Sequence, residues 1–438
     1  MTARPLVNGH GAGAVLAWRD GRAISVGGYL HDVARTAAAL PQRQHVLNLC
    51  TDRYRFAVAL GAALTRGQVS LLPPNQTPDM IERLASRYPG LYCLGDRAAA
   101  CGSLETMVFP VQCGQGEEGM PVPSLPETQA GVVVFTSGST GDPVPHHKSW
   151  GSLVRSAQAE IERLGMGRLS LLGTVPAQHV YGLESTVLMP LQGGCALHAG
   201  RPFYPADIRA ALAALPRPRA LVTTPVHLRV LLAEMEPLPP ADFLLCATAP
   251  LSPQLAAAAE TRFAAPLHEI YGCTEAGQIA SRRTVQTDEW RALPDLSLRT
   301  DDDGTWVRGG HVEQEVLLSD VIELRGRSRF LLHGRTADLV NIAGKRASLA
   351  HLNYHLNSIE GVRDGAFVMP AEEGGGVPRL MAFVVAPGVE RAAILAELRR
   401  RIDSAFLPRP LCFVESLPRN DTGKLPRQAL DELARKAG

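Results

Sequence analysis

Five times the chain runs through a few apolar residues and stops at a small polar residue or a proline. The runs are HVLNLC from His45, VSLLPP from Val69, SLLGTVP from Ser170, ALVTTP from Ala220 and FLLCATAP from Phe243. Runs this short and this apolar read as buried strands. Between the first two lies RYRFAVALGAALTRG, an alanine-rich stretch with helical character that closes at Gly67, and YLHDVARTAAAL before His45 has helical spacing. Alternating strands and helices predict a layered α/β core with parallel strands, and the strand ends of such folds are where ligands bind.

The chain has 438 residues, which predicts two or three structural units. AVLAWRDGRAISVGGYL reads as two strands around an Asp-Gly turn, and the segment 112–131, rich in Gly, Pro and Glu, as an exposed connection. Residues 299–325 change style to turns and antiparallel strands. A small α+β unit follows: helix HLNYHLNSI, strands GAFVM and RLMAFVVAP, helix RAAILAELRRRIDSAF and a tail ending in NDTGKLPRQALDEL.

Lys and Arg total 44 against 43 Asp and Glu, so no overall field favours nucleic acid or a membrane surface. No CxxC pair occurs among the 8 cysteines, which argues against zinc. Without an apolar leader or a membrane-spanning run, the expected setting is reduced and cytoplasmic, with no membrane span.

After AGVVV comes FTSGSTGD, residues 135–142. Small residues let backbone amides converge and hydroxyls add donors, a composition suited to an anion. It is not a Walker A loop, since G-x-x-x-x-G-K-[ST] is absent. Taken alone the segment reads equally as a surface loop. Six further stretches follow it: PAQHVYGLE (176–184), CATAPLS (246–252), YGCTEAG (271–277), LSD (318–320), GRTADLVNIAGKR (334–346) and NDTGKLPR (420–427). In this order, over most of the chain, they resemble the motifs of the adenylate-forming superfamily of acyl-CoA synthetases, aryl acid ligases and adenylation domains.

That resemblance implies a large N-terminal layered α/β domain, residues 1–336, and a small mobile C-terminal α+β domain, residues 337–438. It implies activation of a carboxylic acid by ATP with Mg2+, giving acyl-AMP and pyrophosphate, and then displacement of AMP by a thiol. Thr136, Ser137, Gly138, Ser139, Thr140 and Gly141 are placed on the β- and γ-phosphates. Thr274 is placed on phosphate, Glu275 on the metal, and Tyr271 flat against adenine beside Gly272. Asp320 is assigned to the ribose hydroxyls, Arg335 to ribose or phosphate, and Lys424 to a bridge between the carboxylate and the α-phosphate, with Arg427 secondary. His179 gates the acid and thiol paths, and Tyr181 and Gly182 adjoin it. Ala247, Thr248, Ala249 and Gly277 line a flat slot for the acid.

The match has departures. The loop lysine is missing: Val144 and Pro145 follow Pro143, and Lys148 is either its substitute or a solvated surface lysine. His146 and His147 read as solvated. At the hinge, Ala337 stands where the family commonly has Asp or Lys, with Asp338 next. The acid-pocket stretch has no aspartate to pair an α-ammonium, and Glu184 comes later, so the expected acid lacks an α-amino group; an aromatic acid such as a hydroxybenzoate fits. The compact chain resembles ligases of aryl-polyene or xanthomonadin-type pigment pathways, which implies an acyl carrier protein as acceptor. Arg399, Arg400, Arg401 and Arg409 offer it a basic face, or are simply solvated. Coenzyme A is the alternative acceptor, and a non-catalytic nucleotide-binding relative or a plain NTPase the alternative classes.

Overall fold

The computed structural model describes residues 2–11, 13–96, 101, 104–109, 120–137, 143–335, 339–342, 345–370, 380–420 and 425–437. Each of the five apolar runs forms a strand, and they divide between two sheets. The six-stranded sheet runs Pro143–Ser149, Ala130–Ser137, Val69–Leu72, His45–Asn48, Tyr92–Gly95, Thr106–Val108. Its strands are parallel except for Pro143–Ser149, which returns antiparallel on Ala130–Ser137. The eleven-stranded sheet has a parallel centre, in which Leu267–Cys273, Phe243–Cys246, Arg219–Thr223, Ser170–Gly173, Ala196–His198 and Val15–Arg19 lie side by side.

Helices Val26–Ala39, Arg53–Thr65 and Trp150–Leu164 contribute to the largest apolar core, with Tyr29, Phe56, Leu60, Trp150 and Leu188. Helix Arg53–Thr65 is buried on nearly every face, which its small side chains permit. Gly61 lies so near Tyr29 that a Cβ there would stand 2.6 Å from the phenol oxygen. Asp52 caps this helix by accepting the Arg55 N–H at 2.9 Å.

The Asp-Gly turn forms as read, between Val15–Arg19 and Arg22–Ser25. The connection 112–131 needs one correction: Ser124–Pro126 is a strand, paired antiparallel with Ala3–Pro5. Backbone amides at the N-terminus needed partners, and this segment supplies them. Residues 296–318 form a three-stranded antiparallel sheet.

The smaller C-terminal domain has its own core of Leu352, Leu356, Phe367, Val384, Ile394 and Leu398. Its sheet, Asp364–Val368, Met381–Val385 and Leu411–Phe413, carries helices Leu349–Asn357, Arg391–Arg401 and Arg427–Ala437. The helix read through to Phe406 ends at Arg401; Asp403 then caps a separate short turn, Ser404–Phe406. Contacts that tie this domain to the large one include Arg229, which lies 3.7 Å from Asp364, Gln254, which donates to the Ser358 carbonyl at 3.5 Å, and Ser348, which donates to the His333 carbonyl. No helix among the described residues is long and apolar enough to cross a membrane.

Candidate active site

One buried arginine organises the strand ends of the larger sheet. Arg53 is 1% exposed and has no carboxylate partner among its bonds. Its Nε donates to Thr186 Oγ1 at 2.9 Å, Nη1 to the carbonyls of His198 and Gly200, and Nη2 to those of Gly173 and Val175. All five donors are used, so burial of the cation is matched by five acceptors. The result fixes the segment 173–186 against its neighbours. Sequence reasoning did not single out Arg53; it reads as the first residue of an alanine-rich helix.

Within that segment, His179 opens the short helix Val180–Leu183. Gly182 is sterically required: a Cβ there would stand 1.9 Å from the Pro176 carbonyl oxygen. The next turn is wider than an α-helix, because the Met189 N–H reaches back to the Glu184 carbonyl. Such expanded turns are common at functional sites. Here it brings Glu184, Ser185 and Thr186 inside together. Tyr181 donates to the Thr223 carbonyl at 3.3 Å, and Thr174 and Thr223 meet at 3.0 Å at the same strand ends.

The hairpin of Leu267–Cys273 and Gly277–Arg282 carries Thr274 and Glu275 at its tip. Close packing of the two strands explains Gly272, where a Cβ would meet the Gly277 carbonyl at 2.4 Å. At its base, buried Glu269 accepts from Arg282 and Thr284, each at 2.8 Å, and from the Leu251 N–H at 3.2 Å. This anchors the neighbouring segment, in which Thr248 holds φ +85°, a costly angle for a β-branched residue.

Three residues expected at the nucleotide lie next to one another. Tyr271 donates to Asp320 Oδ2 at 2.8 Å and packs on Trp290 and Phe330. Asp320 and Arg335 are cross-strand partners. On the other side, Thr136 Oγ1 lies 3.0 Å from His146 Nε2, which is 4.0 Å from Glu275 Oε1. The structure thereby brings Thr136 and Glu275 to the same ring nitrogen of His146. Gly138, Ser139, Thr140, Gly141, Ala337, Asp338 and Lys424 lie outside the described residues, and only the backbone of Ser137 and Arg335 is described.

Two expectations are corrected. His146 is half-buried rather than solvated, and burial lowers its pKa although Glu275 opposes the shift; His147 is exposed. The strand alternation that turns His147 outward turns its neighbours inward. Lys148 is not a solvated surface lysine: its ammonium donates to the Glu275 carbonyl, and burial lowers its pKa. The basic run on the C-terminal domain is also partly neutralised, since Arg400 and Arg401 both bond Glu397.

Behind this site is a polar cluster the sequence reading did not assemble. Ser156 donates to Glu184 Oε1 at 2.7 Å, Ser185 to Glu160 Oε1 at 2.7 Å, and Gln278 to Ser185 at 2.8 Å. Burial lifts the Glu184 carboxyl to about 7 and the Glu160 carboxyl to about 8. Burial depresses buried His311 to about 4, with help from the Lys148 charge. One signal was available: Glu160 falls three residues after Ala157 and seven after Leu153, on the apolar stripe of its helix.

The architecture is that of the adenylate-forming enzymes. The AMP-binding enzyme family matches residues 8–298, and the chain belongs to it. It is an AMP-forming acid–thiol ligase of this ATP-using family. A 4-coumarate–CoA ligase from Rhodobacter capsulatus is 30% identical over 303 residues, 67% of this chain and 74% of that one. Another from Halorhodospira halophila is 28% identical over 306 residues, 68% and 75% of the two chains. An o-succinylbenzoate CoA synthetase from Bacillus subtilis, solved with its acyl-adenylate, superposes with TM-score 0.81 at 16% identity, covering 98% of each chain.

Proposed function

We propose that this protein joins an aromatic carboxylic acid to coenzyme A through an acyl adenylate. The observation that carries the reading is the convergence of Thr136, His146 and Glu275 on one side and Tyr271 with Asp320 on the other, in the register the motifs imply. The activity of the two 4-coumarate–CoA ligases it resembles supports an aryl acid and coenzyme A. The carboxylate oxygen attacks the α-phosphorus and pyrophosphate leaves; the thiol sulfur then attacks the acyl carbon and AMP leaves. Positioning two anions and stabilising the charge between them are the main tasks.

In this reading residues 136–141 and Thr274 hold the phosphates, Tyr271 and Gly272 the adenine, and Asp320 with Arg335 the ribose. Lys424 approaches from the mobile C-terminal domain. His179, Tyr181, Gly182, Thr248, Ala249 and Gly277 surround the acid. Glu275 suits Mg2+, which takes oxygen ligands and keeps waters, so one carboxylate with the phosphates suffices. The metal supplies charge neutralisation across the phosphates. Lys148, held on the Glu275 carbonyl, braces that hairpin tip and so does a different job from a loop lysine.

An acyl carrier protein is the competing acceptor, favoured by exposed Arg399 and Arg409 and weakened by the pairing of Arg400 and Arg401 with Glu397. The test is acid-dependent pyrophosphate release over a panel of aryl and aliphatic acids, followed by the specificity constant for each thiol. Coenzyme A is expected to be the better acceptor. A higher constant for a carrier protein overturns that choice, and absence of acid-dependent release overturns the ligase reading.

A further inference from the structure

One carboxylate in the small domain is shared by two arginines, and one of them comes from the large domain. Asp364 opens strand Asp364–Val368. Arg419 meets it with two arms: Nε donates to Oδ2 at 2.7 Å and Nη2 to Oδ1 at 2.8 Å. Arg229 of the large domain brings Nη1 to 3.7 Å from Oδ1. The Gly365 N–H steadies the carboxylate by donating to Oδ1 at 2.9 Å. The side chains of Arg229, Asp364 and Arg419 are 22%, 16% and 17% exposed, so salt and water screen these charges only in part. Burial lowers the Arg229 pKa; Asp364 opposes that shift and Arg419 adds to it. Asp364 thus turns the approach of two like charges into an attraction between domains.

Each arginine leads toward the site. Arg229 lies on helix Pro225–Ala233, which follows strand Arg219–Thr223, and Tyr181 bonds the Thr223 carbonyl at the end of that strand. Arg229 also interacts electrostatically with Cys246, the last residue of the neighbouring strand, and Ala247 and Thr248 come next in the chain. Arg419 leads the other way. Residues 420–424 separate it from Leu425, and Lys424 is the last of them. Beyond them Leu425, Leu430 and Leu433 pack into a core with Leu417, Ala366 and Val368. The stretch that bears Lys424 is therefore anchored at both ends to the small domain's sheet, and Asp364 holds the earlier end.

Resting on the ligase reading above, we infer that Asp364 is a positioning residue for acyl-adenylate formation: it holds Arg419 and, through Arg229, the large domain, so that Lys424 is presented to the reacting groups. Arg229 is its partner across the interface. The link serves the half-reaction that uses Lys424. Thiol transfer does not use Lys424 and so does not need the link.

The test uses the full chain with ATP, Mg2+ and the fastest acid of a benzoate and cinnamate series. It reads two single-turnover rates. The first is pyrophosphate release on adding the acid. The second is loss of supplied acyl adenylate on adding coenzyme A, or a carrier protein where that is the better acceptor. Their ratio is independent of the folded fraction. Arg229→Gln is expected to lower the first rate about fivefold and Asp364→Asn about 30-fold, with the second rate within about twofold of the unmodified protein. Arg229→Lys keeps a cation facing Asp364 and should recover most of the first rate. The double variant Arg229→Gln/Asp364→Asn should be no slower than Asp364→Asn, because the partner of Arg229 is already gone. Where Asp364→Asn does not fold, Arg229→Gln against Arg229→Lys decides the matter alone. An equal fall in both rates, no fall in either, no recovery with Arg229→Lys or a further fivefold loss in the double variant overturns the inference and leaves the ligase reading standing. No acid-dependent release by the unmodified protein overturns both.

Discussion

The two halves of the site are built differently. On the nucleotide side the side chains are already engaged with one another: Thr136 with His146, and Tyr271 with Asp320. Glu275 is 39% exposed in its side chain and reachable from solvent. Behind it, Glu160, Glu184, Gln278 and His311 are buried together. A nucleotide brings its own charge and solvation, so its site needs correctly spaced donors at an accessible edge. An acid's distal end enters a dry compartment, where every polar atom left unmet counts against it. In the function proposed above, the nucleotide half is a frame that many acids can share and the buried half a filter among them.

The largest test of this division concerns Lys424. Lys424→Ala is expected to lower pyrophosphate release by about 100- to 1,000-fold, the scale of removing one stabilising group from a charged transition state. Thiol transfer from supplied acyl adenylate should persist, and the ranking among acids should not move. Equal loss in both half-reactions breaks the assignment of Lys424 to the first. A changed acid ranking breaks the division between frame and filter.

Glu275→Gln is the next in size. It keeps the hairpin tip and the Glu275 main-chain carbonyl that Lys148 holds, and removes only the charge. Adenylation is expected to fall by about 100-fold, with a raised requirement for Mg2+ in a metal titration. Normal release at ordinary metal concentration rejects Glu275 as a metal-facing residue.

The same division explains what could be read in the sequence. Nucleotide residues occur in contiguous stretches such as YGCTEAG, where spacing along a hairpin fixes geometry. The parallel core was legible because short apolar runs, each closed by turn residues and alternating with helical stretches, read as buried strands. The buried polar cluster takes Ser156 and Glu160 from one helix, Glu184 and Ser185 from another, Gln278 from a strand and His311 from a turn. No local pattern joins such pieces; only tertiary packing does. The error at His146 and the choice left open at Lys148 have a related cause. Alternation shows that successive side chains face opposite ways, but not that the inward face meets the Glu275 hairpin.

The smallest expected effect is on stability, and it distinguishes the two sides by pH. Burial raises the Glu160 carboxyl to about 8, far above an ordinary carboxylate. Above the ordinary value the unfolded chain gives up this proton while the folded chain keeps it. The contribution to stability is therefore full at low pH and is lost as pH rises through about 8, at roughly 1.4 kcal/mol per pH unit for one proton. Glu184, raised to about 7, acts in the same direction. His311 and His227, both held near 4 by burial, act oppositely, but only below the ordinary histidine range. Between pH 6.5 and 8.5 the carboxyls are thus the groups to follow. The apparent melting temperature of the unmodified protein is expected to fall across this window by a few degrees. Glu160→Gln has no proton to lose, so its decline should be shallower, and its advantage should grow with pH. Glu275→Gln, on the exposed side, should keep the slope of the unmodified protein. Parallel curves for the unmodified protein and Glu160→Gln would show that Glu160 ionises freely in the fold, and the acid side would then be no drier than the nucleotide side.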